Sequence, residues 1–195
     1  MQLTMKKLTV IILAVVVTFV FLGVCRAEEK SLQSIDFLTG FGWGKVRVKG
    51  DYHMYPVIVD LNFDLRPLTK KINFSPRSLL QFQVEPYMAG ISEPESNFET
   101  GVSFFLKAGI LPETSKFQPY IKVGSGFDYM TLHTREQSTQ FNFASTGGVG
   151  MHYFFKEDTA FTLEGRFRHL SNAGIDHPNS GINSVFAVAG ITRKF

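Results

Sequence analysis

One pattern constrains this chain more than any other: apolar and polar residues alternate with a period of two, in segment after segment. Val57, Val59, Leu61, Phe63 and Leu65 share one parity, and Asp60, Asn62 and Asp64 the other. Leu80, Phe82, Val84, Pro86 and Met88 oppose Gln81, Gln83 and Glu85. Val102, Phe104, Leu106, Ala108 and Ile110 oppose Ser103 and Lys107. Ile121, Val123, Phe127 and Tyr129 oppose Lys122 and Asp128, while Val149, Met151, Tyr153 and Phe155 oppose Gly150 and His152. Phe161, Leu163, Gly165 and Phe167 oppose Glu164, Arg166 and Arg168. Side chains two apart in a strand lie on one face, so each segment reads as a β-strand with one apolar face and one polar face.

Residues 37–48 and 184–195 complete a set of about eight strands. Short turns are expected at Lys49-Gly50-Asp51, Leu111-Pro112-Glu113 and Lys156-Glu157-Asp158, and longer polar links at 67–77, 92–100, 131–140 and 172–183. Gly40, Gly42 and Gly44, inside a strand pattern, suit barrel bends. No separate second domain or low-complexity tract is visible.

The first residues follow different rules. Lys6 and Lys7 precede an apolar run over 8–24, followed by Cys25-Arg26-Ala27. This reads as a secretory signal peptide over residues 1–27, cleaved after Ala27, with residues 28–195 as the mature domain. A membrane anchor helix and a lipoprotein signal are the rival readings of that run. Cleavage takes three of the 20 Lys and Arg and leaves 17, equal to the 17 Asp and Glu. The apparent basicity therefore belongs to the leader and gives no support to nucleic-acid binding. Cleavage also removes Cys25, the only cysteine, and with it any disulfide, thiol nucleophile or thiolate metal site.

A strand-and-link unit of roughly 20 residues suits membrane strands of about 9–11 residues. A soluble lipocalin-like barrel shares the strand count, but its apolar face turns inward. A membrane barrel is inverted, with lipid-facing apolar groups and a polar lumen. Here one face carries large apolar groups, among them many of the 20 Phe, and the other carries acids and bases able to neutralise one another. The chain also ends on a strand closing in Phe195, like the terminal aromatic that the barrel-assembly machinery reads. The expected fold is an all-β, eight-stranded antiparallel transmembrane up-and-down barrel in the bacterial outer membrane. Trp43 and the scattered Tyr are expected in interfacial girdles. An even strand count puts both termini in the periplasm, with longer links outside.

Candidate chemistry lies near the end of the chain. His169 and Ser171 continue the odd, lipid-facing series of Phe161, Leu163 and Phe167. Polar groups are costly on that wall unless they have work to do. Positions i and i+2 lie roughly 6.5–7 Å apart, within reach of an imidazole and a hydroxyl. A serine beside a base is the minimal apparatus for acyl transfer. At the outer rim such a pair meets lipopolysaccharide at the depth of its ester-linked acyl chains. His53, His133 and His152 lie in separate elements without ligand spacing, so neither metal nor other cofactor is expected. Glu164, Arg166 and Arg168 read as a salt network in the lumen, and His177 as an exposed loop residue.

The stretch His169-Leu170-Ser171-Asn172-Ala173-Gly174, followed by Pro178-Asn179-Ser180-Gly181-Ile182, resembles the signature of the lipid A 3-O-deacylases, the PagL family. The close match covers about the last thirty residues, and the rest agrees in pattern alone. The resemblance implies an eight-stranded outer-membrane barrel that hydrolyses the ester-linked acyl chain at position 3 of lipid A, without metal, through a Ser–His–Glu triad. It implies Ser171 as nucleophile, His169 as general base, and Asn172, Gly174 and Asn179 as sources of oxyanion donors. The family has Glu after the Gly-Ile, where this chain has Asn183. An amide oxygen can orient an imidazole but cannot stabilise imidazolium as a carboxylate does. In the serine-protease template the analogous change lowers turnover about 10⁴-fold. Three readings stay open: catalysis with Asn183, another acid such as Asp176, or a structural or adhesion barrel that has lost catalysis.

Overall fold

The computed structural model describes residues 32–195; the expected signal peptide, 1–27, lies outside them. Eight strands close into one antiparallel barrel in sequence order: β1 (Leu32–Val46), β2 (Gly50–Asp64), β3 (Ser78–Glu93), β4 (Asn97–Pro112), β5 (Phe117–Met130), β6 (Phe141–Phe154), β7 (Thr159–Ser171) and β8 (Ile182–Lys194). β1 meets β8 from Ser34↔Lys194 to Gly44↔Ser184, so no strand edge is left open. At this seam a Cβ on Gly40 would lie 2.1 Å from the carbonyl oxygen of Ala187, which is why a glycine stands there.

The parity read from the sequence holds. Phe37, Val57, Leu106, Ile121, Val123, Val149 and Phe167 all point outward and are exposed. An apolar surface of this extent is the lipid-facing belt of a membrane barrel and excludes the soluble alternative. Inside, Arg166 bonds Glu85 at 2.7 Å and Glu164 at 2.5 Å, and Lys122 reaches both acids at 3.0 Å. Lys107 pairs with Asp36 at 3.3 Å, and Arg168 pairs with Glu99. Taking such groups out of water costs several kcal/mol per ion, which mutual pairing offsets.

The structure corrects three expectations. First, the lumen is not polar along its length. In β2 the inward series begins with Tyr52, Met54 and Ile58 before Asp60 and Asn62, and Ile91, Leu170 and Ile182 join the apolar part. An apolar plug thus fills the barrel at the end holding links 47–49, 94–96, 131–140 and 172–181. Second, strands run past the alternating segments. β6 starts at Phe141, as the expected link 131–140 implies, well before the alternation read from Val149, and β3 and β4 leave 94–96 as their link rather than 92–100. Third, long links do not all lie at one end. Link 65–77, with a helical turn α1 (Arg66–Thr69) and a 3₁₀ turn (Lys70–Ile72), lies beside the termini, where Arg66 bonds Asp64 and Glu113.

Candidate active site

β7 carries the two candidate residues outward, as alternation requires. His169 and Ser171 are half-buried on the outer wall, while Arg168 and Leu170 between and beside them point into the barrel. The ladder places Asn183 directly opposite His169. His169 Nδ1 and Asn183 Oδ1 are 2.7 Å apart. An amide oxygen only accepts, so Nδ1 carries the proton and Nε2 keeps its lone pair. That is the tautomer in which Nε2 can take a proton as a general base.

Gly181 meets the same imidazole edge-on. Its φ is +76°, and a Cβ there would stand 2.4 Å from His169 Cε1 and 2.9 Å from Nε2. The sequence motif contains Gly181, but nothing in local pattern reveals this contact. Among the described residues Ser171 Oγ has no hydrogen bond, so its hydroxyl is uncommitted. Catalytic hydrogen bonds often close only when substrate arrives.

The loop after Ser171 is built around Asn172, which is fully buried. Its Nδ2 donates to Ser138 Oγ at 3.0 Å and to the Asp176 carbonyl at 2.9 Å. Its Oδ1 accepts from the Gly174 N–H at 2.9 Å, and its own N–H donates to Asn179 Oδ1 at 3.0 Å. Loop 131–140 clasps this loop from the side. Gln137 Nε2 bonds the Leu170 carbonyl at 2.9 Å, Ser138 N–H the Pro178 carbonyl at 3.0 Å, and Ser180 N–H the Glu136 carbonyl at 3.0 Å. The donors of Asn172 and Gly174 are therefore engaged in holding the loop. Among the described residues Asn179 Nδ2 has no hydrogen bond.

Neither Asp176 nor Glu164 bonds the imidazole. Asp176 Oδ1 accepts from the His177 N–H at 2.8 Å and makes no hydrogen bond to His169. Glu164 is inside the barrel, bonded to Tyr120 at 2.5 Å and to Arg166. A groove of about 370 Å³ opens beside Asn183 on the outer wall, lined by Trp43, Lys45, Asp51, His53, Phe167 and Val185 among others, so Asp51 is the acid nearest this groove. Among the described residues no three His, Cys, Asp or Glu side chains gather as metal ligands.

The family model for lipid A 3-O-deacylase (PagL) matches residues 59–192. The chain belongs to the PagL family. A crystal structure of the outer membrane enzyme PagL superposes with a TM-score of 0.60 at 13% identity, covering 83% of this chain and 99% of that one. The crystal structure of Neisserial surface protein A superposes with a TM-score of 0.58 at 11% identity, over 83% of this chain and 96% of that one. At such identities the superpositions speak for the fold alone. No curated protein matches the chain's sequence. With its closed barrel, this PagL-family chain is a protein of the bacterial outer membrane.

Proposed function

We propose that the barrel is an outer-membrane esterase that removes the ester-linked 3-O acyl chain from lipid A of lipopolysaccharide. The observation that carries this reading is the 2.7 Å contact between His169 Nδ1 and Asn183 Oδ1 on the lipid-facing wall, two residues from Ser171. Ser171 Oγ attacks the acyl carbonyl carbon while Nε2 of His169 takes the hydroxyl proton. The negative charge moves to the carbonyl oxygen, where Asn179 Nδ2 is the donor best able to meet it. Collapse of the intermediate breaks the bond to the sugar oxygen, which receives the proton from Nε2. Water, deprotonated in turn by His169, then releases the fatty acid from Ser171. Asn172 and Gly174 act one step back, by holding the loop that carries Asn179. Phe195, exposed at the end of β8, suits capture by the barrel-assembly machinery.

Asn183 in the position of the family's acid favours a second reading, a barrel whose catalysis is weak or lost. Mass spectrometry of lipid A from cells expressing the full chain separates the two. Loss of a 3-hydroxy acyl chain, abolished by Ser171→Ala, is the expected result. Intact lipid A beside a folded barrel would remove the esterase assignment.

A further inference from the structure

Two more polar side chains share the ladder row of the histidine. Ladder partners link Ser125 to Ser145, Ser145 to His169, and His169 to Asn183. Four polar residues on β5 to β8 therefore form one row around the outer wall. The row toward the termini is Val123, Gly147, Phe167 and Val185, without a polar side chain. On the outer side Phe127, Phe141 and Phe143 pack together, with centroids 5.5–6.1 Å apart. Ser145 is exposed and Ser125 half-buried, and among the described residues neither hydroxyl has a hydrogen-bond partner.

Hydroxyls on a lipid-facing wall, beside an aromatic cluster and without a protein partner, are costly if left unsatisfied. A polar group of the lipid can supply that partner. Direct ladder partners stand about 5 Å apart, so Ser145 lies about 5 Å beside His169 and Ser125 about 10 Å beside it. Acyl chains of one multiply acylated lipid descend side by side, each with a carbonyl or 3-hydroxyl near its polar end. We infer that Ser125 and Ser145 form a second polar subsite, which holds the carbonyl or 3-hydroxyl of a neighbouring acyl chain while the scissile ester faces Ser171. The inference rests on the deacylase reading and adds to it a preference for lipids with adjacent polar-headed chains.

The test uses the full chain purified in detergent, lipid A as the probe, native mass spectrometry for bound lipid and timed release of fatty acid. Ser125→Ala with Ser145→Ala is expected to raise KM and weaken binding roughly tenfold, a few-fold per lost hydrogen bond, with little change in kcat. Threonine at both positions keeps the hydroxyls and is expected to restore binding. Heat-modifiable mobility reports that each variant is folded. Unchanged binding and KM in the double alanine variant overturn the subsite, while fatty-acid release by the parent leaves the deacylase reading intact. Lipid bound by the parent, lost in the double variant and never cleaved by either, supports the subsite and removes the deacylase reading.

Discussion

Gly181 leaves 2.4 Å between the place of a Cβ and the Cε1 of His169, so the imidazole is seated against a bare backbone. The glycine also holds φ at +76°, a region where an L side chain costs roughly 1–2 kcal/mol. Gly181→Ala therefore pushes the imidazole off its present position as well as straining the turn. Displacements near 1 Å can cost about 10²-fold in rate. The expected outcome is a folded barrel, judged by heat-modifiable mobility, with fatty-acid release lowered at least about tenfold. Full activity in this variant would mean that the seat does not fix the imidazole.

Asn183 orients His169 through a neutral oxygen and offers no charge to the imidazolium that forms during attack. Asn183→Glu places a carboxylate at the same ladder position. Deacylation is expected to rise by at least about tenfold, with about 10⁴-fold as the upper bound set by the serine-protease template. Asn183→Ala removes the acceptor and is expected to lower the rate below that of the parent. Both are read as initial rates of 3-hydroxy fatty acid release. Equal rates in all three forms would place the orienting group elsewhere.

How much of this was legible in the sequence depends on the range of the signal. Parity is local, so the outward placement of His169 and Ser171 and the inward placement of Arg166 and Arg168 could be read directly. What an inward face touches is not local. Leu170 and Ile182 share the parity of the lumen charges, yet they join an apolar plug formed by strands far apart in the chain. The polar link 131–140 marked where β6 starts, but Gly147 and Gly148 hide the alternation that Phe143 and Ser145 begin. The pairing of Ser145 with His169 is a matter of ladder register across a turn and a long strand, which no single segment encodes. The engagement of Asn172 with Ser138 likewise depends on a loop more than thirty residues away.

Asn172 makes the loop a single hydrogen-bonded unit: its side chain donates twice and accepts once, and its N–H donates to Asn179. Asn172→Ala deletes three side-chain bonds at a buried position. At about 1 kcal/mol each, roughly 3 kcal/mol of local stability is lost. The barrel strands do not depend on these bonds, so the expected effect is confined to link 172–181. Limited proteolysis is expected to cut that link while the barrel resists, and activity is expected to fall with it. Unaltered protease resistance would show that loop 131–140 suffices to hold the site.

Arg168 stands directly before His169 in β7 and points the other way, into the lumen, where Glu99 is its ion-pair partner. Tyr52 donates to the same carboxylate, and Tyr87, whose hydroxyl lies 3.0 Å from it, donates to Asp128, so a second acid stands beside the pair. Glu99→Ala removes the guanidinium's direct ion-pair partner and leaves Asp128 as the acid nearby, and breaking a buried pair from one side costs up to about 3–5 kcal/mol. Replacing both members, Glu99→Met with Arg168→Met, removes the stranded charge and is expected to recover much of that loss. The measurement is the temperature at which the folded band converts to the unfolded one on gels. The single variant is expected to convert at a clearly lower temperature and the double variant near the parent. If the two variants convert together, the pair is not what stabilises this level of the barrel, and the backbone that carries His169 on its other face draws its rigidity from the ladder alone.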